Sequence, residues 1–144
     1  MEGYAMSLFD KTCDKQNNDN MNVYVTFSNW IDKHLSNDLP NSVVAINFNL
    51  YEGSEETYDV QIIGSDSFDE DNDDWACGEI YTTGEDVFFV PRTKHIAEWE
   101  EGLSFITALV EKYLREGKYA NKLKNYEAVG IGFVDGDITI LHRQ

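Results

Sequence analysis

A chain of 144 residues with 27 acidic against 11 basic side chains carries a formal net charge of −16 at pH 7. That balance argues against nucleic acid or anionic lipid as a direct ligand, because holding phosphate takes Lys and Arg. The length suits one domain, and 42% hydrophobic with 13% aromatic residues is enough for a core, so the charge does not imply disorder.

Residues 10–22 are polar and rich in Asn, whose short side chains compete for backbone hydrogen bonds and favour turns. Residues 1–21 are therefore expected to form a loop or poorly ordered arm. Phe27, Trp30, Ile31 and Leu35 then fall on one face of a short helix, which Pro40 closes. Ser42–Tyr51, with strand propensity and mostly alternate apolar spacing from Val44 onward, and Thr57–Gly64, with Tyr58, Val60 and Ile62 on one face, predict an antiparallel hairpin around Gly53-Ser54. Glu79–Thr83 and Val87–Val90 look like a second hairpin across Thr-Gly-Glu-Asp.

The longest regular segment is Ile96–Glu116. Ile96, Trp99, Leu103, Ile106, Val110 and Tyr113 recur at steps of three and four, which predicts an amphipathic helix packed on a sheet, with Gly117 as its C-cap. Gly102 inside it weakens the helix by roughly 1 kcal/mol against Ala. A basic loop with Lys118, Lys122 and Lys124 follows. Tyr126–Val134 and Ile138–Leu141 flank Asp135-Gly136-Asp137, a strong hairpin signal. The order α-ββ-ββ-α-ββ predicts a single α+β domain over residues 1–144, with a mainly antiparallel sheet of hairpins and two helices.

Signals for catalysis are weak. His34, His95 and His142 stand in no metal-binding or triad spacing, and the sequence holds no nucleotide-binding or nucleophile-elbow motif. Gly130-Ile-Gly132 reads as a bulge or a close packing contact within a strand. Cys77 has no identifiable His or Asn partner and reads as a semi-buried thiol beside Trp75. With only Cys13 and Cys77, no signal-like N-terminus and no run near the ~20 apolar residues of a membrane span, the expectation is a cytoplasmic protein without disulfides or a thiolate zinc site.

The sharpest feature is residues 66–74, where six of nine positions are acidic and Trp75 follows. From Glu52 to Glu101 there are 16 acidic residues against Arg92 and Lys94, a net of −14. An EF-hand reading starts well, with Asp69, Asp71 and Asp73 at positions 1, 3 and 5. It fails where Asp74 replaces the turn Gly and Ile80 replaces the closing Glu. Phe68, Trp75, Tyr81 and Tyr58 are interleaved with the acids, and Trp99 lies among Glu98, Glu100 and Glu101. A dense anionic face with aromatic anchors suits recognition of a basic protein surface, with charge steering the encounter and aromatics supplying the desolvated contact.

In the 66–75 cluster, the Trp99–Tyr113 helix and the closing segment from Val129 to Asp137, the chain resembles the small acidic immunity proteins of bacterial toxin–immunity systems. The resemblance implies a non-enzymatic inhibitor of a basic cognate toxin domain, for instance a nuclease, with no cofactor and no metal. Its partner-binding residues would be Asp66, Asp69, Glu70, Asp71, Asp73, Asp74, Trp75 and Glu79. Two alternatives remain open: a small divalent-metal-dependent enzyme or metal-binding protein using the acidic loop, and a scaffold domain whose loop only maintains solubility.

Overall fold

The computed structural model describes residues 22–54 and 56–144; the expected N-terminal arm and Cys13 lie outside them. The chain forms one α+β domain around a six-stranded sheet. Residues 22–35 are helical (α1). Strands β1 (Ala45–Tyr51) and β2 (Thr57–Ser65) form the expected hairpin, with Ala45 opposite Ser65 and Tyr51 opposite Asp59. After the acidic loop come β3 (Glu79–Thr82), β4 (Phe88–Pro91), helix α2 (Trp99–Glu116), a short helix α3 (Ala120–Lys124), and the hairpin β5 (Ala128–Phe133) and β6 (Thr139–Arg143).

One side of the sheet is covered by the helices. Ile46, Phe48 and Leu50 of β1, Tyr58, Val60 and Ile62 of β2, and Val129, Ile131 and Phe133 of β5 form a single core with Phe27, Ile31 and Leu35 of α1 and Ile106, Val110 and Tyr113 of α2. Strand alternation and helical periodicity thus name the same interior.

The sheet departs from a row of hairpins in two places. β3 and β4 do not pair with each other. Both run antiparallel to β2 along its one edge, β4 opposite Thr57–Val60 and β3 opposite Ile63–Ser65, as two halves of a broken strand. Gly84 at φ +63° turns the chain out between them, a conformation that favours Gly. The outward bend meets α1. Trp30 Nε1 donates to Asp86 O at 3.2 Å, Lys33 pairs with the Asp86 carboxylate, and His34 Nε2 approaches it at 2.8 Å.

The second departure is at the sheet centre, where β1 and β5 are parallel, Ala45 opposite Ala128 through Leu50 opposite Phe133. A parallel pair needs a long crossover, and everything from β2 to α3 supplies it. The expected basic loop contains α3, and Lys122 Nζ there donates to the carbonyls of Leu35 (2.6 Å), the last residue of α1, and Asn37 (3.0 Å) just after it, where positive charge is favoured.

Helix α2 begins at Trp99 rather than Ile96, which sits in a separate 3-10 turn, Lys94–Ile96. The Glu101 carboxylate accepts the Glu98 N–H at 3.1 Å, a capping contact that fixes the start. Gly117 is the C-cap as expected, its N–H donating to Tyr113 O at 2.7 Å, in extended rather than left-handed conformation (φ −68°, ψ 154°).

Gly102 is buried against the Tyr58 ring, where a Cβ would collide with ring atoms. Tyr58 reaches past it to share its hydroxyl proton between the carbonyls of Ile96 (2.7 Å) and Glu98 (2.9 Å). Burial pushes this phenol up, and the Arg92 guanidinium 4.5 Å above the ring pulls it partly back.

Two outcomes follow from these contacts. Gly102→Ala should destabilise the protein by about 1–3 kcal/mol in urea unfolding, overpacking outweighing the gain in helix propensity; a stabilised variant would disprove the Tyr58 contact. The Asp86 carboxyl is held low, first by the Lys33 hydrogen bond and also by His34. Its contribution is present above the usual carboxylate range and is lost as pH falls through its lowered folded value. Asp86→Asn should therefore flatten the acid limb of the stability–pH curve, modestly because the carboxylate is partly exposed; superimposable limbs would refute this.

Candidate functional site

The acidic loop is built into the side of the sheet opposite α1 and α2. Asn72 opens a 3-10 turn, Asp73–Cys77, its Oδ1 accepting the Asp74 N–H at 2.9 Å. At the end of β2, buried Ser65 donates its hydroxyl to Trp75 O at 2.6 Å. Trp75 then packs on Ala45 and Ala128, small residues that leave room for an indole, with Phe68, Ile138 and Ile140 around it. Phe68 stands edge-on to Trp75 at 5.3 Å, and Arg143 of β6 lies 5.0 Å over the Phe68 ring while pairing with Glu70.

This packing changes the role of the expected aromatic anchors. Trp75 is only 4% exposed and Tyr58 is fully buried, so both rings serve the fold's own interior. Phe68 and Tyr81 are half-buried. Trp75 therefore fastens the loop to the sheet and offers no exposed anchor. Cys77, expected to be semi-buried, is exposed.

Asp66, Asp69, Glu70, Asp71, Asp73, Asp74 and Glu79 are all exposed, but they divide by what they hold. Asp69 Oδ1 accepts the Asp71 N–H at 2.9 Å. Glu70 pairs with Arg143. Asp73 Oδ2 accepts the backbone N–H of Ile138 at 2.9 Å, across 65 residues. The carboxylates of Asp66, Asp71, Asp74 and Glu79 make no ion pair among the described residues. The loop is thus locked by three of its acids and presents the others.

The Asp73–Ile138 bond joins this loop to a second acidic segment, the β5–β6 turn. Asp135, Gly136 and Asp137 are exposed, as is Val134 at 53%. Gly130 and Gly132 make the approach possible. A register shift, the expected bulge, falls at Val129/Gly130, and a Cβ on Gly132 would strike Asp137 O.

A groove lies on each side of the turn. One, of about 530 Å³, is lined by Glu52, Trp99, Leu103, Phe133, Asp135 and Asp137. The other, of about 320 Å³, runs between Asp73, Asp74 and Cys77 on one wall and Asn47 and Asn49 on another. Asn47 is 2% exposed and donates to Asn49 Oδ1 at 2.6 Å, while its own Oδ1 has no partner among the described residues. Asn49, Gln61 and Tyr51 continue this polar row, Tyr51 donating to Gln61 Oε1 at 3.1 Å.

In sequence Trp99 stands among acids and Asp135–Asp137 marks a turn, and only the fold brings the two into one groove. Asn47 and Asn49 carry a signal of their own in the sequence: two amides at alternate positions of an otherwise apolar strand mark the face opposite the core.

No group of three or more His, Cys, Asp or Glu among the described residues is gathered as a metal site would require. His95 is exposed, and His142 Nε2 lies 3.1 Å from Lys124 O. No helix of the described chain is long and apolar enough to cross a membrane. Comparison with protein-family models, curated proteins and solved structures returned no match.

The division of the acids is open to test. Asp73→Ala should lose about 1–2 kcal/mol and speed amide exchange at Ile138, whereas Asp71→Ala should stay within about 0.5 kcal/mol of the parent. Equal stability and exchange in the two variants would refute the structural role of Asp73.

Proposed function

We propose that this protein is a non-enzymatic acidic inhibitor of the immunity kind, which binds a basic cognate toxin domain and blocks its working surface. The observation that supports this best is the union of two acidic segments. Through the Asp73 carboxylate and the Ile138 N–H, the loop at 66–78 and the turn at 135–137 become one preorganised negative face. A loop serving only solubility needs no such fixation. Rigid charges bind at a lower entropic cost than a mobile tail, and a focused field raises the rate at which a basic partner arrives.

In this reading Asp66, Asp71, Asp74 and Glu79 face Lys or Arg of the toxin, and Asp69, Glu70 and Asp73 hold the scaffold that presents them. If the toxin acts on nucleic acid, the carboxylates occupy places its cationic groups keep for phosphates, and inhibition is stoichiometric. Cytoplasmic residence is part of the proposal, since the inhibitor must meet its toxin before harm is done.

The test is binding between the purified chain and the toxin domain encoded beside its gene. Association should slow steeply as salt is raised. Asp71→Lys combined with Asp74→Lys should weaken the complex by ~2–5 kcal/mol if those carboxylates are desolvated in it, with unfolding unchanged. Unaltered affinity in that variant would remove the loop from the interface.

A further inference from the structure

The groove beside Trp99 has a composition that the fold uses elsewhere for one kind of guest. Arg92 lies 4.5 Å over the Tyr58 ring and donates Nη2 to Glu52 at 3.0 Å. Arg143 lies over the Phe68 ring and pairs with Glu70. Each is a guanidinium held by an aromatic surface and a carboxylate together, a geometry that stacks the planar cation while satisfying its N–H fork.

A third such set has no cation of its own among the described residues. Trp99 is 47% exposed and stands at 90° to Phe133, ring centres 6.1 Å apart. Asp135 and Asp137 line the same groove, and neither makes an ion pair among the described residues. Leu103 lines the groove with them, and Glu52 stands at its margin already holding Arg92. A half-exposed indole is a large apolar surface to leave at the start of a helix, and it is the ring type with the strongest cation–π attraction.

We infer that this groove receives one arginine side chain of the basic protein partner, its guanidinium stacked on Trp99 and hydrogen-bonded to Asp135 and Asp137. The inference deepens the inhibitor reading and rests on it. It moves the aromatic anchor of the interface from Trp75 to Trp99, and it selects arginine over lysine. An ammonium is a compact, strongly hydrated point charge, whereas a guanidinium can stack and engage two carboxylates at once.

Amide and indole NMR of the full chain separates the possibilities, because Trp30 and Trp75 are buried and Trp99 is not. The probes are acetyl-triarginine amide and acetyl-trilysine amide at low salt. The arginine peptide should shift the Trp99 indole N–H and the amides of residues 133–139. Trp99→Leu, and separately Asp135→Asn with Asp137→Asn, should each weaken that binding about tenfold, with the remaining spectrum preserved because these side chains are exposed. Equal response to the lysine peptide at Trp99 would overturn the assignment to guanidinium. Shifts confined to residues 66–74, with Trp99 unmoved, would overturn the groove and leave the acidic-face reading standing. No binding of either peptide would remove both.

Discussion

The Tyr58 hydroxyl ties the start of α2 to the sheet, and much of the structure around the Trp99 groove depends on that tie. The hydroxyl projects from near the start of β2 and captures the carbonyls of Ile96 and Glu98 just before α2 begins. Gly102 gives up a side chain so that the ring can lie against the helix. The same ring supports Arg92, which pairs with Glu52, and stands edge-on to Phe133 at 6.0 Å. Start of helix, end of strand and groove wall therefore share one residue. Shifting it would move Trp99 and Phe133 relative to the β5–β6 turn.

A face this acidic works against its own folding, because like charges held close raise the energy of the compact state. Local engagement of carboxylates offsets part of that cost. Asp69 and Asp73 accept backbone N–H groups, and Glu70 and Glu52 take arginines. Hydrogen bonds to ionised groups are stronger than neutral ones, so these acids bind the loop to the sheet while their neighbours remain available to solvent or a partner. Fixation by some charges is what gives the remaining ones direction.

Periodicity in the sequence was enough to find both core helices, the β1–β2 hairpin and the β5–β6 hairpin, because each repeats its apolar residues over a span short enough to read. It failed at β3 and β4. Two short strands around Thr-Gly-Glu-Asp look like a hairpin locally, and only the length of β2 shows that both can lie along one edge. The parallel pairing of β1 with β5 left no local mark either, since it depends on a crossover of more than seventy residues. At the candidate site the acidity of 66–74 is plain in the sequence, but the direction in which its neighbouring aromatics turn is not. Trp75 follows the run in sequence and turns inward, because Ala45 and Ala128 leave space for an indole on the sheet.

Composition and local pattern by themselves determined the charge, the class of fold, and the interior faces of the helices and strands. These depend on residue type and on spacing within a dozen positions. Tertiary structure alone decided which carboxylates are structural and which are presented, that the 66–78 loop meets the 135–137 turn, and that Trp99 rather than Trp75 stands at the surface. Each of those outcomes depends on a contact between residues distant in sequence. Strand pairing creates such contacts, and no local spacing encodes them.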